Sequence, residues 1–193
     1  MKSLTFPLTD EDIADLKVGD NLLLNGTIMT GRDAAHSWLT DSFREEVAPY
    51  LKGGAIYHCG PVVAENDGKY EFVAAGPTTS IREEPYQHKV IKDYGLKAVI
   101  GKGGMREKTL NALKEYSAVY LHAIGGAASL IANNVVSVRE VFMLDEFGVP
   151  EALWLIDIKD FSVVVTMDAN GNSLHQEVKS NSDHIVKELF ETI

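Results

Sequence analysis

Cysteine is nearly absent: Cys59 is the single thiol in 193 residues. An internal disulfide is excluded, and a reducing, cytoplasmic setting is the expectation. An iron–sulfur cluster cannot be built from this chain alone, since such clusters want about three or four thiolates. His58, His88, His122, His175 and His184 show no metal-ligand spacing, so no metal site is expected here. Basic residues are also scarce, 18 Lys and Arg against 28 Asp and Glu, for a net charge of −10. That balance disfavours nonspecific binding to nucleic acid or to anionic membranes. No apolar run approaches the roughly 20 residues of a membrane helix. Met1-Lys2-Ser3-Leu4 has no signal-peptide apolar core. Fixed-period repeats and low-complexity tracts are missing as well.

What remains is an ordinary globular composition, 45% apolar, with enough length for a real core. No linker interrupts it, and a single domain over 1–193 is expected. Thr9 predicts a cap for a short helix over 10–16. Asn25-Gly26 predicts a hairpin between strands 21–24 and 27–30. Asp33 is positioned to cap a helix running to about residue 43. Asn66-Asp67-Gly68 predicts a second hairpin, and Gly95 stops a helix over 84–94 that carries Pro85 in its first turn. Residues 97–133 read strand, helix, strand, helix, which implies parallel pairing. The last third is β-rich, with strands over 152–158, 161–167 and 173–178, and a closing amphipathic helix over 182–190. The class is α/β, with hairpins flanking a parallel βα core in a mixed sheet.

Three strand-to-helix corners resemble one another. They are Gly76-Pro77-Thr78-Thr79-Ser80-Ile81-Arg82, the segment Gly26 to Asp33, and Gly101-Lys102-Gly103-Gly104-Met105. Each combines glycine, a cation and a following helix, the setting in which free amides and positive charge gather an anion. Arg32, Arg82 and Lys102 together suit a small dicarboxylate, because guanidinium groups hold carboxylates in bidentate fashion and lysine supplies a point charge. The alternative is that they are solvated surface cations or partners of Glu83, Glu84 and Glu107. Thr78 and Thr79 either cap the next helix or serve the ligand. A threonine hydroxyl has a very high pKa and needs cations and a substrate to move a proton. His36, one turn after Arg32, is either packed or part of the site. Gly101 to Gly104 lacks Walker A spacing.

Gly31-Arg32-Asp33-Ala34-Ala35-His36, Tyr57-His58-Cys59-Gly60-Pro61, Gly76 to Arg82 and Gly101 to Met105 occur here in one order and spacing. That set, with Gly125-Gly126-Ala127-Ala128 and Asp168 to Ser173, resembles the β subunit of class I fumarate hydratases and the related L(+)-tartrate dehydratases. The resemblance runs from about Leu4 to Glu177. It implies a swivelling β/β/α fold and a separate α subunit holding a [4Fe-4S] cluster. It implies that Arg32, Arg82 and Lys102 bind the substrate carboxylates with Thr79, that Thr78 takes part in proton transfer, and that His36 supports them from behind. The pattern departs from the family at Ser37-Trp38 after His36, and at Glu83-Glu84, where a more apolar continuation is expected. The function implied is hydration of fumarate to (S)-malate. L(+)-tartrate and mesaconate stay open as substrates, as does a non-catalytic anion-binding assembly module. Alone, the chain can also self-associate through the surface meant for its partner.

Overall fold

The structure is a computed structural model, and it describes residues 1–191, leaving aside the side chains of residues 188 and 191. The last two residues of the expected single domain lie outside the described residues. Five strands run parallel: β1 (Lys2–Thr5), β2 (Asn21–Thr30), β3 (Ala55–Tyr57), β6 (Ala98–Gly101) and β7 (Val119–His122). The long antiparallel β9 (Leu153–Met167) follows β7 and is flanked by β8 (Val135–Phe142). β9 also pairs with β2, so the sheet curls back on itself. β4 (Val62–Asn66) and β5 (Lys69–Ala74) form the expected separate hairpin.

After the short α1 (Asp10–Ala14), helices α2 (Asp33–Asp41), α3 (Ala48–Leu51), α4 (Glu84–Tyr94) and α5 (Glu107–Glu115) cover one face of the parallel strands. The short α6 (Ala128–Ala132) and α7 (Leu144–Phe147) precede and follow β8 along the chain. Strand residues alternate between two cores, as the two-residue period requires. Met29, Ile56, Val99 and Tyr120 face the helices, beside Leu39, Val90, Ile91 and Leu113. Ile28, Tyr57, Ile100 and Leu121 face Trp154, Ile156, Phe161 and Val163 of the antiparallel layer. The result is mixed α/β, and the parallel pairing expected for residues 97–133 is present.

Three expectations are corrected. Asn25-Gly26 is not a hairpin but the middle of one ten-residue strand. Gly26 takes a φ of +98°, and Phe6 donates its N–H to the Asn25 carbonyl at 2.9 Å, so the passing chain occupies the space a side chain would fill. The register slips between Leu24 and Gly26 because Lys159 and Asp160 of β9 together face Asn25 in a bulge, with Asp160 at φ +53°. The two strands expected over 152–158 and 161–167 are therefore one 15-residue strand. Residues 174–178 of the strand expected over 173–178 are helical rather than extended. The Asp168 carboxylate accepts from Asn170 N, Asn172 N and Asn172 Nδ2 at 3.0, 3.0 and 2.9–3.1 Å, which closes a tight turn. Ser173 Oγ then accepts from Gln176 N at 3.4 Å, and α8 (Leu174–Glu191) starts there. Ile185, Val186, Leu189 and Phe190 of α8 are exposed. No helix among the described residues is long and apolar enough to cross a membrane.

Candidate functional site

The carboxyl ends of β2, β3, β6 and β7 lie side by side, and the glycine corners grow out of them. Gly31 donates to the Tyr57 carbonyl (2.9 Å), His58 to Ile100 (2.8 Å) and Ala123 to Gly101 (2.8 Å). The corner over 76–82 is stitched across these ends. Thr78 N donates to the His58 carbonyl at 2.6 Å, Ser80 N donates to Lys102 O at 3.0 Å, and Thr79 bridges Lys102 in parallel register. This is the crevice at which parallel α/β sheets hold ligands.

Arg32 stands at the N-terminus of α2 with its side chain 22% exposed. Its Nη2 is 3.3 Å from Glu151 Oε1, and Glu151 Oε2 accepts from Ala34 N at 3.0 Å. Glu151 therefore caps α2 from a distant part of the chain. Asp33, expected as that cap, points elsewhere: its carboxylate accepts two hydrogen bonds from Arg82. A Cβ on Gly60 would collide with Arg32 Cδ and Nη1 and would lie 2.8 Å from Pro150 O, so only glycine lets this loop lie on the arginine. Arg32 and Arg82 share Asp33, at 3.9 and 2.6 Å from its Oδ2. Lys102 makes no ion pair among the described residues and lies beside Gly125. Thr78 is half-buried and Thr79 exposed. Thr79 sits at the start of the 3-10 turn Ser80–Glu83 without capping it.

Behind this surface runs a buried polar chain. His36 Nδ1 donates to the Arg32 carbonyl at 2.9 Å. His36 Nε2 and His58 Nε2 both meet the Gln87 side-chain amide, at 2.9 and 2.8 Å. His58 Nδ1 is 2.9 Å from Ser80 Oγ, which is 2.8 Å from Tyr120 Oη, and Tyr120 Oη accepts from Gly104 N at 3.3 Å. Burial lowers both histidines, His58 to about 3, with the charge of His36 as a second cause. The chain runs from below Arg32 to below Gly104. It fixes the corners relative to one another, because a buried polar group must keep its partners.

Glu83 completes this layer. Its side chain is fully buried, and neither carboxyl oxygen has a hydrogen-bond partner among the described residues. Burial and the neighbouring Asp33 push its carboxyl up to about 8, against the pull of Arg82.

The sequence singled out Arg32, Arg82, Lys102, Thr78, Thr79 and His36, and the fold gathers their segments at one end of the sheet. It missed Glu151, Gln87, His58, Ser80 and Tyr120. Gln87 did leave a signal: it occupies the inward position of a stripe completed by Val90, Ile91 and Tyr94. Glu151 left none, being brought in by the fold from 118 residues beyond Asp33. A separate hollow of about 560 Å³, lined by Glu84, Met105, Arg106, His175 and Lys179, contains none of the six.

The sequence pattern described as the Fumarase C-terminus matches residues 2–178. The chain belongs to that family. It is 53% identical over 181 residues to a protein of Geobacillus stearothermophilus provisionally named fumarate hydratase class I. That match covers 93% of this chain and 34% of the relative, so the chain spans about a third of that protein's length. It is 40% identical over 186 residues to a protein of Methanocaldococcus jannaschii provisionally named L(+)-tartrate dehydratase subunit beta, covering 95% of each. It is 39% identical over 198 residues to L(+)-tartrate dehydratase subunit beta of Escherichia coli K12, covering 100% of this chain and 97% of that one. The family membership agrees with the resemblance read from the sequence.

Proposed function

We propose that this chain is the β subunit of a two-subunit hydro-lyase that interconverts fumarate and (S)-malate. The observation that carries the reading is the convergence of Arg32, Arg82, Lys102 and the threonine pair at one end of the parallel strands. Arg32 and Arg82 orient the two substrate carboxylates, Thr79 borders them, and Lys102 answers the charge that develops when the carbon next to a carboxylate loses its proton. Thr78 passes that proton at C3, with a carboxylate from the partner subunit as its relay. His36 holds the Arg32 backbone from beneath.

The chain's own side chains do not fit a [4Fe-4S] cluster. Cys59 is fully buried and its thiol is pushed up to about 12 by burial. The reading assigns the cluster to the α subunit and the complex to the cytoplasm. Co-expression with its α subunit, followed by purification under nitrogen, tests it. A brown, oxygen-sensitive complex that hydrates fumarate is expected, and an iron-free preparation of this chain alone that does so at an enzymatic rate overturns it.

L(+)-tartrate is the second reading, favoured by two relatives of nearly the same length whose names carry that substrate. Rates of the reconstituted pair on fumarate, L(+)-tartrate and mesaconate, measured side by side, separate the readings.

A further inference from the structure

Glu83 has no task in the reaction described above. It is buried beneath the two arginines. Its Oε2 is 3.5 Å from His36 Nδ1, and both groups are fully buried. His36 Nδ1 already donates to the Arg32 carbonyl, so Glu83 receives no ordinary hydrogen bond from it.

The groups facing Glu83 can be counted by charge. Arg32, Asp33 and His36 come from α2 and its first turn, Arg82 from its own 3-10 turn, and Glu151 from the turn before β9. Gln87 of α4 binds the far side of His36. Arg32 is matched by Glu151 and Arg82 by Asp33. With those pairs made, the cluster is neutral only if Glu83 and His36 together hold one ionisable proton. Placing it on either group gives the same total, so the titration belongs to the pair. Losing it leaves an uncompensated negative charge in the interior, directly behind the arginines. A dicarboxylate arriving in front adds two more negative charges at the same place.

We propose that the Glu83–His36 pair keeps a single proton beneath Arg32 and Arg82, and that this proton must be present for the corner to bind a dicarboxylate. Glu83 is thus a positioning residue that gates anion affinity by pH. The inference rests on the reading of this corner as a dicarboxylate site and not on the reaction catalysed there. The elevated carboxyl of Glu83 agrees with it, since burial and Asp33 both favour the protonated form. By linkage, an anion that binds only the protonated pair weakens about tenfold for each pH unit above the pair's pKa.

The test uses the co-expressed complex and succinate, an unreactive dicarboxylate, with binding followed by calorimetry from pH 6.5 to 9.5. The dissociation constant is expected to rise about tenfold between pH 7 and pH 9, for a pair titrating near the Glu83 value of about 8. In Glu83→Gln, and in the apolar Glu83→Met, the same ratio is expected to fall below about twofold. ¹³C NMR of carboxyl-labelled glutamate, assigned with Glu83→Gln, reads the proton directly. A resonance titrating between roughly pH 7 and 9 that moves upward in succinate is expected. A pair in which neither Glu83 nor His36 titrates above pH 7, or a succinate affinity equally pH-dependent in all three proteins, overturns the proposal. Failure of succinate to bind at any pH overturns the dicarboxylate reading instead. Loss of the linkage shows differently, as a dissociation constant that does not change with pH.

Discussion

Arg82 holds Asp33 with two hydrogen bonds, Nε to Oδ1 at 3.0 Å and Nη2 to Oδ2 at 2.6 Å. The pair joins the 3-10 turn at one corner to the first turn of α2 at another. Both partners are substantially exposed, so water screens it and its direct worth to stability is small. Its effect is to hold the Arg82 fork in one orientation, at the place where the proposed ligand arrives.

Asp33→Asn is therefore expected to change the unfolding free energy by less than about 1 kcal/mol. Arg82, no longer anchored, must be ordered by the substrate, so KM rises roughly three- to tenfold while kcat changes less. Urea denaturation of the chain and steady-state kinetics of the complex check the two halves separately.

Gln87→Leu has the opposite profile. Gln87 is fully buried, and its side-chain oxygen bridges His36 to His58. Replacing it strands two buried imidazole nitrogens, each costing on the order of 1–3 kcal/mol. A loss of about 2–6 kcal/mol is expected, read as a lower denaturation midpoint with an unchanged m-value.

The buried titrating groups act on stability with opposite signs. His58 is depressed to about 3 by burial, so below its unfolded value of about 6.5 the unfolded chain binds a proton that the folded one refuses. Stability from His58 is lost as pH falls from there toward 3. Glu83 is raised to about 8, so above the unfolded value of about 4.3 the folded chain retains a proton that the unfolded one releases. Stability from Glu83 is present at acid pH and is lost as pH rises toward 8. Glu83→Gln removes only the second limb. Its melting temperature relative to the parent is expected to rise steadily from pH 5 to pH 8, and differential scanning calorimetry in buffers of matched ionic strength measures this.

Lys102 has no carboxylate partner among the described residues and faces Gly125 at the mouth of the crevice. Lys102→Met is expected to leave the melting temperature within a few degrees of the parent. It removes a charge-assisted contact worth about 1.5–3 kcal/mol, so kcat/KM of the complex for fumarate falls by roughly 10- to 100-fold. Thermal scans and initial rates test this pair of outcomes.

Much of this arrangement was legible in the chain. The parallel strand–helix alternation, the Asp67-Gly68 hairpin and the Gly95 stop of α4 depend on local chemistry, and they fold as their residues suggest. Asn25-Gly26 misled because its glycine is needed, at positive φ, where the Phe6 backbone passes against the strand, and such a close approach and a hairpin ask for the same residue. Residues 173–178 read as the strand returning from the turn at 168–171, but Leu174 and Val178 stand at helical spacing and the Asp168 turn delivers Ser173 as a cap. At the site, the cations and hydroxyls announced themselves through their glycine neighbours. The groups beneath them did not. Glu151 reaches α2 only through the tertiary fold, and nothing local distinguishes a buried Glu83 from a solvated one.

In the proposed function, the corner over 76–82 is half of an active site whose hydroxyl works on the substrate. Thr78→Ala measures it most directly. Thr78 makes one backbone hydrogen bond, to the His58 carbonyl, which alanine keeps. In the complex with the α subunit, kcat for fumarate is expected to fall by about 10² or more, with the melting temperature of the chain preserved. A Thr78→Ala complex that turns fumarate over at the parent rate would contradict the account.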